Sequence, residues 1–279
     1  MLAAGTILAV IAIVLIVVGA RHRPEPEVQP VGTPAPAVAG VHPVRFTAKL
    51  EPGLSRWMWL VKWILAIPHI VVLVLLWIAF GVLTFFAAVA ILFTGRYPKG
   101  IFDFNVGVLR WSWRVAHYAS TGGIGSDRYP PFTLEPTPDD AVTLDITYPE
   151  RLSRPLVLVK WLLAIPHLLI VGLLNGTSWT WWPDDWGRFG FDFGGGGMLG
   201  LLTLAAGVVL LFTNTYPKGL YDFIVGLNRW TVRTVAYVAL MTDEYPPFRL
   251  DQGETEPDPD MAGGPVGYPE PPPVVDATV

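Results

Sequence analysis

The stretch Leu60-Val61-Lys62-Trp63-Ile64-Leu65-Ala66-Ile67-Pro68-His69 returns 98 residues later as Leu158-Val159-Lys160-Trp161-Leu162-Leu163-Ala164-Ile165-Pro166-His167. Further on, Tyr97-Pro98-Lys99-Gly100-Ile101-Phe102-Asp103-Phe104 returns as Tyr216-Pro217-Lys218-Gly219-Leu220-Tyr221-Asp222-Phe223, at an offset of 119. Tyr129-Pro130-Pro131-Phe132 returns as Tyr245-Pro246-Pro247-Phe248, at an offset of 116. Self-similarity of this length is a duplication. The changing offset locates the length differences: 21 extra residues in the second copy after His167, and three in the first before Tyr129.

The composition of the 279 residues sets the class. Hydrophobic residues make up 52% and charged residues only 15%, with a mean hydropathy of +0.46, whereas an average soluble domain is roughly 25% charged. Cysteine is absent, which excludes disulfides, thiol nucleophiles and Cys-ligated zinc. The net charge of −4 hides a partition. Residues 251–279 hold seven acids and no Lys or Arg, while residues 42–250 carry a net +3. That excess is too small and too scattered for a nucleic-acid partner, which wants a dense basic face.

Residues 2–20 are uncharged and long enough to cross a hydrocarbon core of about 30 Å. Arg21-His22-Arg23 follow directly, so residues 1–20 read as a transmembrane anchor with its N-terminus outside and its C-terminal end in the cytoplasm; a cleaved signal peptide is the other reading. Residues 21–43 form a Pro-rich linker, and 252–279 a disordered, acidic, Pro-rich tail that could take protein partners. Between them lie repeat unit 1 (44–135) and repeat unit 2 (141–251).

Residues 57–93 of unit 1 are nearly all apolar, and a single helix of that length would run about 55 Å. In unit 2 the Trp-, Asp- and Gly-rich insert 175–197 interrupts the equivalent stretch. Insertions are tolerated at loop tips, so the spacing predicts a transmembrane helical hairpin turning near residues 78–81, both hairpins pointing the same way. Next comes a polar stripe. Asp103, Gly107, Arg110, Arg114 and His117 fall within about ±40° at 100° per residue, repeated by Asp222, Gly226, Arg229 and Arg233, which suits an amphipathic helix at the membrane interface. A third span over 101–120 and 220–241 is the competing reading. Alternation over 44–50 and 142–146 predicts a short opening strand, and 132–134 and 248–250 a closing one. The fold class is thus mainly α, integral membrane: an anchor plus two tandem units, each a short strand, a transmembrane hairpin, an interfacial helix and a closing strand.

Several strings resemble a bacterial membrane-protein family. They are Glu150-Arg151-Leu152-Ser153-Arg154 with Lys160-Trp161 and Ile165-Pro166-His167; Leu92-Phe93-Thr94-Gly95-Arg96-Tyr97-Pro98; Asp103-Phe104-Asn105-Val106-Gly107-Val108-Leu109-Arg110-Trp111; and Asp243-Glu244-Tyr245-Pro246-Pro247-Phe248. The family is that of the domain of unknown function 4389, here in two copies over about 44–250, with a composition similar to actinobacterial members. The resemblance implies polytopic membrane placement and brings no activity and no catalytic residues. Unit 2 departs from the pattern where Gly95-Arg96 becomes Asn214-Thr215.

Seven-residue spacing puts Ser55, Lys62 and His69 on one helical face, and Ser153, Lys160 and His167 likewise. Lys62, His69, Lys160 and His167 are therefore a candidate intramembrane polar site. Packing at the prolines, a proton or ion relay, and ligand binding are its three possible uses. Arg110, Arg114, Arg229 and Arg233 are candidate lipid-headgroup contacts, and Asp103 and Asp222 candidate helix caps. No catalytic triad, metal-ligand spacing or dinucleotide fingerprint is present, so no catalytic residue, metal or cofactor is assigned. The expected role is a non-catalytic one, organising lipids (anionic ones included) or proteins at the cytoplasmic face of the cell membrane. The alternatives are a transporter or channel using His69 and His167, and a lipid-modifying membrane enzyme.

Overall fold

A computed structural model describes residues 42–138, 140–181, 189–193 and 197–255. The anchor, the linker up to residue 41, the tip of the insert and the tail beyond 255 lie outside them. The chain is mostly helical. Unit 1 runs β1 (Val44–Ala48), α1 (Trp59–Leu65), α2 (Ile67–Thr94) and α3 (Lys99–Ala119); unit 2 runs β2 (Val142–Ile146), α4 (Arg154–Leu163), α5 (Ile165–Asn175), β3 (Thr177–Trp181), β4 (Phe189–Phe193), α6 (Gly197–Thr213) and α7 (Lys218–Val238).

Pro68 and Pro166 sit in the first turns of α2 and α5, where a missing N–H costs nothing but the preceding helix must stop. The chain bends by 50° between α4 and α5. α2 then continues for 28 residues, about 42 Å, and is the one described helix long and apolar enough by itself to cross a membrane. It passes residues 78–81 without a break, so the hairpin expected there does not form. Its exposed end closes on Gly95 at φ +72°, and Asn214 at φ +55° holds the same left-handed position in unit 2, which is how Asn can stand where unit 1 has Gly.

Unit 2 divides the same 28 positions between α5, with 11 residues, and α6, with 17. Gly197 abuts the end of α5: a Cβ on it would lie 2.6 Å from the Asn175 carbonyl carbon. Leu199, Ala206 and Leu210 are buried where Phe80, Ala87 and Ile91 are in unit 1. The 21-residue insertion therefore leaves a helix and rejoins it one step on, as the antiparallel hairpin β3–β4. An insertion needs ends that lie close together, and paired strands supply them about 5 Å apart; a pre-existing turn is not required.

The two units meet at a two-fold axis. β1 and β2 pair antiparallel with Val44 opposite Ile146, Phe46 opposite Leu144 and Ala48 opposite Val142. At an offset of 98 this register is self-complementary about Phe46 and Leu144. All six of those side chains are buried, so the axis stands perpendicular to the sheet. Around α3, the residues that meet α2 are Asn105 (with Thr84), Trp111 (with His69) and Ser112 (with Trp77). Those that meet the sheet side are Phe102 (with Tyr148), Arg110 (with Leu144) and Trp113 (with Phe46). The two groups lie about 135° apart at 100° per residue. The molecule thus has three layers: the sheet, then α3 and α7, then α1, α2, α4, α5 and α6.

In the third layer, Gly95 at the end of α2 lies 3.5 Å from Arg154 at the start of α4, and Gly207 of α6 meets the Trp59 ring of α1 at 3.1 Å, both measured to an added Cβ. The end of each long helix reaches the start of the other's bent pair. The long helices of the two units therefore run in opposite directions, not in the common direction expected.

Two further expectations change. α3 and α7 are buried along most of their length and form the middle layer, because their polar stripe finds its partners inside the protein. Residues 132–134 and 248–250 are not strands; they belong to straps that run beside the arginines, where the Thr133, Leu134 and Glu135 carbonyls accept from Arg114 and Arg110, and the Asp251 and Gly253 carbonyls from Arg229. The straps cross at Gly107 and Gly226, where an added Cβ would come within 2.7 Å of Leu134 Cβ and 3.1 Å of the Asp251 carbonyl oxygen. Gly107→Ala and Gly226→Ala should each destabilise by about 1–3 kcal/mol. Gly81→Ala, with nothing within 4 Å, should be neutral or stabilising by up to about 1 kcal/mol. Thermal melts of the detergent-solubilised chain compare the three.

Candidate functional site

Each unit builds the same polar cluster from its bent helix and its Tyr-Pro-Pro-Phe loop. Lys62 is 1% exposed and pairs with Asp127 at 2.7 Å, its ammonium also donating to the Ser126 carbonyl at 2.7 Å. Lys160 repeats this with Asp243 at 2.7 Å and the Thr242 carbonyl at 2.7 Å. The second oxygen of each carboxylate accepts from the backbone N–H of Ser55 (2.6 Å) or Ser153 (2.7 Å). Ser55 and Lys62 do meet, as their spacing suggested, but through a shared carboxylate and not along one continuous helix. The ammonium lies 5.3 Å from the Tyr118 ring in unit 1 and 5.2 Å from the Tyr237 ring in unit 2, a further favourable contact for a cation. Ile124 and Leu240, at φ +47° and +64°, turn the loop toward the lysine; this is strained backbone for such side chains.

The histidines serve a neighbouring aromatic cluster. Trp111 Nε1–H donates to His69 Nδ1 at 3.1 Å, and Trp230 Nε1–H to His167 Nδ1 at 2.9 Å. Phe132 stacks on His69 at 3.9 Å and Phe248 on His167 at 4.0 Å. Accepting at Nδ1 fixes the neutral tautomer with its hydrogen on Nε2. Tyr129 and Tyr245 donate to the Leu65 and Leu163 carbonyls, at 3.2 and 3.1 Å. Those are carbonyls freed at the helix break before each proline. The Tyr-Pro-Pro-Phe loop thus caps the break with its Tyr and covers the His with its Phe. For the four residues of the candidate polar site, this geometry is that of packing and backbone satisfaction.

The four arginines expected at lipid headgroups are committed inside the fold. Arg110 donates to the carbonyls of Leu144 (3.2 Å) and Leu134 (3.1 Å) and to Asp145 (3.1 Å). Arg229 is 0% exposed and donates to the carbonyls of Phe46 (3.0 Å), Gly253 (3.0 Å) and Asp251. Arg114 pairs with Asp140 at 2.8 Å and Arg233 with Asp251 at 2.6 Å. Asp103 and Asp222 do not cap. Pro98 and Pro217 hold the N-cap positions, and each carboxylate lies one turn in, paired with Lys99 (3.0 Å) or Lys218 (3.1 Å). Nor do the aspartates meet the histidines: Asp103 is eight residues, about 12 Å along α3, from the Trp111 that binds His69.

Spacing alone assigns no site role to Asp127, Asp243, Trp111 or Trp230, although each pair repeats at the offset of its neighbours and Trp111 and Asp243 lie within the strings that carry the family resemblance. Also unassigned was His117, whose Nε2 lies 2.7 Å from the Tyr221 hydroxyl of the other unit. Burial, with the Lys62 charge adding to it, lowers its pKa to about 3. His42 is likewise lowered to about 4, by burial and then by Arg233. Among the described residues, no three His, Asp or Glu side chains are grouped to hold a metal ion.

Two predictions follow from these contacts. Asp127→Asn leaves the Lys62 ammonium buried without its counter-charge and should cost about 3 kcal/mol, as should Asp243→Asn, with nearly additive loss in the double variant. Histidines with lowered pKa values stabilise the fold fully above about pH 6.5. Each loses up to about 1.4 kcal/mol per unit as the pH falls below that. The melting midpoint should therefore drop between pH 6.5 and 5, with a shallower slope in His117→Gln.

A family model described as a domain of unknown function (DUF4389) matches residues 56–133 and 196–249. Searches of curated proteins and of solved structures find no match. The first matched segment covers α1 to the Tyr-Pro-Pro-Phe loop of unit 1, and the second covers α6 to the same loop of unit 2. The chain is thus similar to the DUF4389 family over two segments, one in each repeat.

Proposed function

We propose that this chain is an integral membrane protein whose third layer lies in lipid and whose sheet layer faces water, organising lipids or partner proteins at the cytoplasmic surface without catalysis. The observation that carries the reading is the exposed face of the third layer. The most apolar 18-residue window of α2 is only 22% buried, where a core helix would be largely covered. Phe93 is 76% exposed and Phe212 80%. Between them, Val71, Val74, Phe85, Leu169, Leu173 and Leu201 are exposed too. Soluble monomers rarely expose contiguous apolar patches beyond a few hundred Å², and each such side chain is worth about 1.5–3 kcal/mol when removed from water.

Residues 2–20 supply a spanning anchor, and the Arg21-His22-Arg23 cluster sets the domain on the cytoplasmic side. With the middle-layer arginines committed internally, the cations left for anionic headgroups are exposed ones such as Arg56, Arg96, Arg128 and Arg154. A relay through the histidines has less support, since His69 Nε2 has no hydrogen-bond partner among the described residues. To test membrane insertion apart from the anchor, a protease site is placed in the linker and cut in isolated membranes, followed by alkaline extraction. The released domain should remain with the lipid. Recovery as a soluble, monodisperse monomer would overturn the reading.

A further inference from the structure

The apolar layer has a geometry that bears on how it meets a bilayer. α2 is long enough to cross, yet it does not stand alone. α3 packs along it in the opposite direction, from Tyr97 beside its end to Trp111 beside His69 near its start. The sheet then lies across the middle of α3, held by Arg110 to Leu144 (3.2 Å) and by Phe46 against Trp113 (5.4 Å). Ser112 of α3, two residues from Arg110, bonds Trp77 in the middle of α2 at 3.0 Å. The sheet is therefore level with the centre of α2, one helix layer away.

Were α2 perpendicular to the membrane, that sheet would sit at mid-bilayer depth. Its outer face carries Arg45, Lys49, Thr143 and Asp145, all exposed, and Asp145 is 72% exposed. It has only two strands, and open sheet edges do not occur in the hydrocarbon region. Exposed charges there are equally unfavourable. Laying the helices flat removes the conflict. The two-fold axis stands perpendicular to the sheet and to the long helices, so when it lies along the membrane normal both units reach the same depth. The apolar side chains then point into the lipid, and the sheet faces water across the thickness of α3 and α7.

We propose, resting on the membrane reading above, that the domain sits in one leaflet only, with α2 and the α5–α6 helix lying in the membrane plane and their exposed faces among the acyl chains of that leaflet. Three features favour this occupant over a protein. The outward stripe of α2 (Ile67, Ile70, Val71, Val74, Ile78, Phe85) has no charged residue. Trp57, Trp63 and Trp161 are exposed at α1 and α4, residues that favour the headgroup boundary, with the Arg56 guanidinium 5.9 Å from the Trp57 ring. The 21 residues 21–41 can span up to about 70 Å, and they enter the domain at β1. An anchor emerging on the water side of the sheet therefore reaches it without strain.

The absence of cysteine allows a direct test on the full chain. Single cysteines at the exposed positions 70, 78, 85 and 93 are spin-labelled, and the protein is reconstituted in vesicles of phosphatidylcholine and phosphatidylglycerol. Depth is read from the relative collision rates with oxygen and a water-soluble nickel chelate. All four labels should report one depth within about 5 Å, below the headgroups, while labels at 45 and 143 report water. A profile deepest at 78 and 85, with 70 and 93 at opposite surfaces about 35 Å apart, would overturn the in-plane placement and leave membrane insertion standing. Water-like values at all four would overturn both. Spin–spin broadening that disappears on dilution with unlabelled chain would put a second copy on this face, and the leaflet proposal would fall.

Discussion

A guanidinium group cannot be buried unless its five N–H donors find acceptors, and this chain buries such groups where its two halves join. Arg110 of unit 1 reaches the central carbonyl of β2, at Leu144, and Arg229 of unit 2 reaches the equivalent carbonyl of β1, at Phe46. Arg110 takes its further acceptors from Leu134 of its own strap and from Asp145 of β2, and Arg229 from Asp251 and Gly253 of its own strap. A two-stranded sheet by itself is marginal in water. Here the sheet is fastened from beneath by two cations related by the two-fold axis, and the straps are fastened by the same groups. The reciprocal bonds of Tyr97 to the Ala239 carbonyl (3.4 Å) and Tyr216 to the Gly123 carbonyl (2.6 Å) lie across the same axis.

That arrangement separates two tasks by layer. Charge is gathered in the sheet, the straps and the loops, where carbonyls and carboxylates surround it. Among the described residues, the third layer holds only Lys62 and Lys160 as buried charges, and both turn inward to an aspartate. The layer is left with an outer face that water would not wet. The bend at each proline is what allows this: it stops one helix and lets Tyr129 or Tyr245 satisfy the freed carbonyl.

The repeat map was legible because two copies of one pattern calibrate each other. α3, α7 and the opening strands could be placed from residues alone, whereas the seven-residue spacing of Ser55, Lys62 and His69 ran one helix through the break that the structure puts before Pro68 and Pro166. Periodicity also found the arginine stripe correctly, but a period says which residues share a face and not what that face meets. The stripe suits a membrane surface as well as it suits carbonyls of the straps about 20 residues away and of the opening strands 34 and 183 residues away in sequence. The hairpin expectation rested on where insertions are usually tolerated, and β3–β4 shows that closely spaced ends suffice even within a helix. Asp127 and Asp243 each stand two residues ahead of a Tyr-Pro-Pro-Phe motif, but seven-residue spacing groups Lys62 and Lys160 only with their own helix face and says nothing of a carboxylate 65 or 83 residues away.

The exchange of strands across the axis has a consequence for how such a chain could arise. Each unit gives its opening strand to the helix of the other. A single unit, ending near residue 140, would carry Arg110 with no Leu144 carbonyl to receive it and a β1 with no strand beside it. Only a second copy of itself could supply both, through an isologous interface. The architecture is that of a symmetric dimer written on one polypeptide, in which joining the halves freed one of them to gain a hairpin that its sibling lacks.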